Sequence, residues 1–136
     1  MKSSILIKYI DNMKIENIKF KAKRLDGKGW AIGDLLHSYE NGTIIVPVEG
    51  GGAFSVDSDT ICQFTGEKDM NGNEIYIGDI ISNLETGSII EVEWNERLKR
   101  LDCKFFNADK DFEVPFGLFV SRYKRIVVVG NKFDKK

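Results

Sequence analysis

Apolar and basic residues alternate from Ile18 to Leu25, with Ile18, Phe20 and Ala22 on one side of an extended chain and Lys19, Lys21 and Lys23 on the other. A period of two marks a half-buried strand, because successive side chains point to opposite faces. Asp26-Gly27-Lys28-Gly29 supplies turn residues, and Trp30–Leu35 predicts the returning strand of a hairpin. Asn41-Gly42 favours a tight turn into the β-branched run Thr43–Val46, after which Pro47 marks an edge or strand end. Thr60–Thr65 predicts a further short strand, and Ile75–Ile81 the opening of a small barrel. Strands are then expected over Ser88–Trp94, Leu101–Phe106, Phe112–Val120 and Ile126–Val129, with a polar turn over Asn107–Asp111. In the first of these Ile90, Val92 and Trp94 share a face, so Trp94 reads as a core residue. Helix is expected only in short pieces near Asp34–Tyr39 and Gly117–Tyr123. The pattern predicts a mainly β (β-rich α+β) protein, an N-terminal β-hairpin region followed by a C-terminal SH3-like small barrel. The expected divisions are an extension over 1–12, an N-terminal β subdomain over 13–62 and a barrel subdomain over 63–136 opened by a hairpin at 63–81.

Length and composition narrow the chemistry. A chain of 136 residues can bury one modest core or two small subdomains. No run approaches the 18 apolar residues of a membrane span, and Lys8 and Asp11 interrupt the N-terminal Met1–Ile10 region before it resembles a secretory signal. A soluble, cytoplasmic protein is expected, with Cys62 and Cys103 as reduced core residues. The single His37 leaves no histidine-rich zinc site. Glu49-Gly50-Gly51-Gly52 lacks the Gly-Lys-Ser/Thr continuation of a phosphate loop and reads as a connection. Asp69, Asn71, Asn73 and Glu74 alternate like calcium ligands, but counting from Asp69 the sixth residue is Glu74 and the twelfth Ile80, where an EF-hand loop needs Gly and Glu. No metal, cofactor or catalytic residue is expected; a carboxylate pair drawn from Asp34, Glu74 and Asp79 is the weakest reading.

The net charge of −1 hides a segregation along the chain. Residues 1–28 hold 8 Lys/Arg against 3 Asp/Glu, residues 29–96 hold 1 against 13, and residues 97–136 hold 11 against 5, giving net charges of +5, −12 and +6. Such a layout suits solvated strand faces, complementary contacts within or between subunits, or a basic patch for nucleic acid. The sequence pI of about 5.9 weighs against the last, since phosphate-tracking domains are usually basic overall.

The most specific stretch runs from Gln63 to Ile81, with Gln63, Thr65, Gly66, Lys68, Asp69, Asn71, Gly72, Glu74, Ile75, Tyr76, Gly78, Asp79 and Ile80 in the order Q-Y-T-G-x-K-D-x-N-G-x-E-I-Y-E-G-D-I-V, departing at Phe64, Glu67 and Ile77. That segment resembles the signature of the YopX family of bacteriophage and prophage proteins. Ile18–Ala22, Trp30 and Gly33-Asp34-Leu35 are similar to the family's opening, and Val128-Val129-Gly130-Asn131 to its closing V-I-G-N, so the resemblance spans about residues 14–131. Residues 1–12 fall outside it, which makes Met13 a candidate native start or the first segment a dispensable arm. The resemblance implies a mainly β phage protein and carries over no catalytic residue.

The expected function is a non-enzymatic binding or assembly module acting as a homo-oligomer, with a phage or host protein as a further partner and no membrane. The alternative is a nucleic-acid accessory protein that uses Lys19, Lys21, Lys23, Arg24, Arg122, Lys124 and Arg125 beside exposed aromatics such as Trp30 or Tyr123. Gln63, Thr65, Gly66, Asp69, Asn71, Gly72, Tyr76, Gly78 and Asp79 are expected to shape the signature hairpin, Asp79 by tying its turn through a backbone hydrogen bond.

Overall fold

The computed structural model describes residues 14–40, 42–106 and 113–135. Asn41, the turn expected over Asn107–Asp111 and the extension over 1–12 lie outside them. The chain is mainly β and divides into two compact units, one ending at Gln63 and the other starting at Phe64. Among the described residues no helix is long and apolar enough to cross a membrane.

The first unit follows the alternating pattern closely. Strand β1 (Phe20–Lys23) pairs antiparallel with β2 (Trp30–Ser38), and β2 with β3 (Gly42–Val46), which pairs in turn with β4 (Phe54–Ser55). The start of β5 (Cys62–Lys68) pairs with the other edge of β1 through Cys62 and Gln63. β2 divides its labour: Trp30–Gly33 pair with β1 and Asp34–Ser38 with β3. The helical turn expected near Asp34–Tyr39 is therefore absent, because the β-branched run of β3 offers those residues a ladder from Asp34↔Val46 to Ser38↔Gly42. The handover falls at Gly33, where an added Cβ would lie 2.2 Å from the Val46 carbonyl oxygen. Ala22, Ala31, Ile45 and Val56 form the core, with Phe20, Leu35, Phe54 and Ile61 against it. Lys23 N–H donates to Thr60 Oγ1 (2.9 Å), and that hydroxyl donates to the Asp57 carbonyl (2.7 Å), which fixes the turn Ser58–Thr60 beside β1.

In the second unit the rest of β5 pairs with β6 (Glu74–Tyr76). A five-stranded antiparallel sheet follows, made of β7 (Asp79–Asn83), β8 (Ile89–Asn95), β9 (Arg100–Phe105), β10 (Val114–Pro115) and β11 (Ile126–Asn131) in the order β10-β9-β8-β7-β11. The last strand thus returns beside the first of the set. Among the described residues no ladder joins the edge strands β10 and β11, so the closure a barrel requires is not part of the hydrogen bonding. The return strand expected over Phe112–Val120 is only two residues long; Pro115 ends it and α1 (Phe116–Arg122) follows, as expected near Gly117–Tyr123. Proline suits the threshold of a helix because its missing N–H would be unsatisfied there anyway. Phe116 and Phe119 turn into a core of Ile75, Ile81, Ile90, Val92, Cys103 and Ile126.

Trp94 is not in that core. It is 49% exposed near the tip of the β8–β9 hairpin, its indole N–H donating to Glu96 (2.7 Å). The alternation sets its face correctly, but the hairpin end carries that face past the packed region. Both cysteines are buried as free thiols, and burial, with the Asp102 carboxylate adding to it, pushes the Cys103 thiol up to about 12. Native protein at pH 8 is therefore expected to leave both thiols unmodified by iodoacetamide, with labelling only after unfolding; rapid labelling of Cys103 in the folded protein would contradict this packing.

Candidate binding surfaces and the signature loop

The signature residues become ties between strands. Thr65 Oγ1 donates to the Ile75 carbonyl (2.7 Å) and accepts from Glu67 N–H (3.2 Å), while Gly66 takes φ +88° and Gly72, in the Asn71-Gly72 turn, +82°. Gln63 is exposed and pairs with Phe20. The buried Tyr76 sets its ring 5.4 Å from that of Phe64, and its hydroxyl donates to Glu74 Oε1 (3.1 Å). Burial, then the Glu74 carboxylate, push the phenol above its ordinary value, so it stays protonated.

Asp69 organises the loop between β5 and β6. Its Oδ1 accepts from Asn71 N–H and Asn73 N–H (2.9 Å each), and its Oδ2 from Asn73 Nδ2 (3.3 Å) and from Val128 N–H (2.9 Å) of β11. Met70 N–H donates to the Ile126 carbonyl (3.0 Å). The loop thereby covers backbone groups of β11 that would otherwise form an open sheet edge. The Asp69 carboxylate, first of the oxygens that suggest calcium, is thus engaged in a turn, and among the described residues no group of three acidic, His or Cys side chains is placed to hold a metal. Burial alone would raise the Asp69 carboxyl; the Val128, Asn73 and Asn71 amides and the Asn73 side chain outweigh it and hold it below the usual carboxylate range. A depressed folded value means that this stabilisation is full above the unfolded value, about 3.9, and is lost as pH falls through the folded one. Asp69→Asn is therefore expected to cost roughly 1–3 kcal/mol at pH 7, a deficit against wild type that shrinks below about pH 4. Urea titrations from pH 7 to 2.5 check this, and a constant deficit would refute it.

Asp79 makes the second tie. Fully buried at the start of β7, it accepts from Tyr76 N–H at Oδ2 (2.8 Å) and from Asn131 Nδ2 at Oδ1 (2.9 Å). Asn131 Oδ1 accepts from Phe133 N–H (2.8 Å), Lys132 N–H donates to the Gly78 carbonyl (2.9 Å), and Gly78 N–H to that of Val92 (2.7 Å). Gly78 has φ +98°, a value that only glycine takes without strain. Tyr76-Ile77-Gly78-Asp79 and Gly130-Asn131 are thus two halves of one hydrogen-bonded knot.

The basic candidates divide between the units. In the first, the Lys21 and Lys23 ammonium groups lie 4.7 and 5.2 Å from the Trp30 ring centroid, a cation–π pair on the outer face of β1–β2. Lys19 precedes β1 with the same parity. Arg24 stacks over Phe54 (4.1 Å) and pairs with Asp26. The same outer face carries Ile32 (45% exposed), Leu36 (53%) and Val46 (37%). In the second unit Arg122 lies 5.7 Å from the Tyr123 ring, Lys124 Nζ donates to the Val120 carbonyl (3.3 Å), and the Lys124 and Arg125 amides donate to Glu85 Oε2 (2.9 and 3.2 Å). Lys132 lies 3.9 Å from Glu91, so basic-tail residues meet acidic-middle ones inside this unit. Trp30 and Tyr123, expected to be exposed, are half-buried, Trp30 beneath lysines and Tyr123 against Phe119.

Sequence reasoning missed one feature. Asn83, Thr86, Ser88, Phe105, Val114, Leu118, Phe119, Arg122 and Tyr123 line a recess of about 230 Å³ in the second unit. Its residues come from four separate segments, so no local pattern announces it.

The fold and these ties define a mainly β scaffold whose motif residues hold strands together. The chain belongs to the YopX family: the family model described as YopX protein matches residues 8–135. The match takes in residues 8–12 and the basic tail up to Lys135, both beyond the span of about 14–131 drawn from the motifs alone. No curated protein matches the chain.

Proposed function

We propose that the protein is a non-enzymatic binding and assembly module, working as a homo-oligomer in the cytoplasm of a bacterium that carries a phage or prophage. The observation that supports this is the outer face of the β1–β2–β3 sheet, where Ile32, Leu36 and Val46 stay exposed on a two-faced sheet whose other side is packed with Ala22, Ala31 and Ile45. Asp34 lies between Ile32 and Leu36 on this face and opposite Val46, and exposed apolar residues gathered around one charge suit a contact surface with a polar component. The signature residues, by contrast, are engaged in internal hydrogen bonds. Light scattering behind size exclusion at about 0.1 M and 1 M salt tests the reading. An oligomer that Ile32→Glu with Leu36→Glu reduces to monomers supports it; a wild-type monomer at all concentrations overturns the assembly part.

A second reading rests on Trp30 with Lys21 and Lys23, a ring and two cations on one sheet face that suit a stacked base and its phosphates. Adding single-stranded oligonucleotides to the same experiment addresses it. Binding that weakens steeply with salt and disappears in Lys21→Gln with Lys23→Gln favours the nucleic-acid accessory.

A further inference from the structure

The recess of the second unit has walls of Phe105, Val114, Leu118, Phe119 and Tyr123, and Asn83 is among its lining residues. Asn83 is 1% exposed; its Oδ1 accepts from Glu85 N–H (3.0 Å), while its Nδ2 is buried with no partner among the described residues. A buried amide N–H without an acceptor costs free energy that a ligand oxygen would recover. Arg122 also lines the recess and has no ion pair among the described residues, and Glu85, two residues after Asn83, is engaged by the Lys124 and Arg125 amides. The recess therefore combines hydrocarbon walls with a lining asparagine whose buried amide N–H lacks an acceptor and a guanidinium that rests on the Tyr123 ring without an ion pair. A volume of about 230 Å³ falls below the roughly 300–1,000 Å³ of sites for cofactors and drug-sized ligands. It suits the side chain of a single residue, and the guanidinium selects a carboxylate beside it.

We propose that this recess docks an acidic peptide segment of a partner polypeptide, which inserts one bulky apolar side chain, offers an oxygen to Asn83 Nδ2 and sets a neighbouring carboxylate against Arg122. This rests on the binding-module reading and gives that module a specific partner chemistry. Short peptides bind weakly here, and the charge and the apolar group are both required.

The test is a ¹⁵N–¹H NMR titration of the full chain with acetyl-Glu-Leu-Glu-amide, acetyl-Lys-Leu-Lys-amide, acetyl-Glu-Ala-Glu-amide and N-acetyl-leucine. The proposal expects saturable shifts at Thr86, Ser88, Leu118 and Tyr123 with the first peptide, at least tenfold weaker binding of the second and third, and about tenfold loss in Arg122→Gln. Asn83→Leu removes the orphaned donor and fills part of the recess; weakened binding with an otherwise unchanged spectrum supports the assignment. If that variant does not fold, the Arg122→Gln result and the peptide ranking still decide. No shifts up to 10 mM peptide, shifts confined to other residues, or equal binding of all the peptides would overturn it. N-acetyl-leucine binding as tightly as the first peptide would also overturn it, since the occupant would then be a small apolar acid. Light scattering of the same sample separates the two levels: an intact oligomer that ignores every peptide refutes the recess assignment alone, while a monomer that binds the acidic peptide refutes only self-assembly.

Discussion

Replacing Asp79 by Ala is expected to destabilise the second unit by roughly 3–5 kcal/mol, because it removes the buried acceptor of the Tyr76 N–H and Asn131 Nδ2 hydrogen bonds, at about 1–3 kcal/mol for each buried donor. That is a large part of the 5–15 kcal/mol typical of a whole domain. A loss of this size exceeds the 0.5–2 kcal/mol of an exposed capping residue, and the difference comes from burial. Asp79 is fully enclosed, and the groups it serves lie at both ends of the unit's sequence, 3 and 52 residues away. Asp79→Asn keeps one oxygen as acceptor but turns a donor toward a donor, so it should lose about half as much. Urea unfolding followed by tyrosine and tryptophan fluorescence gives both values. An Asp79→Ala loss below about 1 kcal/mol would mean that the buried donors find other acceptors.

Gly33→Ala is the second large effect. An ideal Cβ at this position stands 2.2 Å from the Val46 carbonyl oxygen and 2.8 Å from Pro47 Cα, and φ is +158°. Both neighbours are backbone, so no side-chain rotation relieves the overlap; β2 and β3 must separate at the residue where β2 changes partners. Overpacking and backbone strain each cost roughly 1–3 kcal/mol, so a total of about 2–5 kcal/mol is expected. It should be accompanied by faster hydrogen exchange of the β3 amides. Gly27→Ala is the control, with φ +76° and nothing within 4 Å of the added carbon. It should cost only the roughly 1–2 kcal/mol of a left-handed alanine. Equal losses in the two variants would show that space at Gly33 is not what selects glycine.

The strands were legible where one face is dry and the other wet. Ile18–Lys23 and Ile90–Trp94 alternate, and the chain makes β1 and β8 there. The end of β2 and the helix were harder for opposite reasons. Leu35-Leu36-His37 has no clear period and is extended only because β3 pairs with it, whereas seven helical residues after Pro115 are too few to display a 3.6-residue period. For Trp94 the side of the strand could be read but not its distance from the packed core. The signature's contacts were half-legible: a local turn around Asp69 and Asp79 follows from Asx chemistry, but Asp69 to Val128 and Asp79 to Asn131 span 59 and 52 residues. The recess and the orphaned Asn83 amide were not legible at all, since their meaning depends on helix α1 being brought together with β7, β9 and β10.

If the motifs that mark the family are one structural knot, Asp79 and Asn131 must be energetically coupled, and a double-mutant cycle on folding free energy measures this directly. Asp79→Ala, Asn131→Ala and the double variant, each unfolded in urea, should give a double-variant loss smaller than the sum of the single losses by at least about 1 kcal/mol. Additive losses within about 0.3 kcal/mol would contradict the account and free both residues for a role outside the fold.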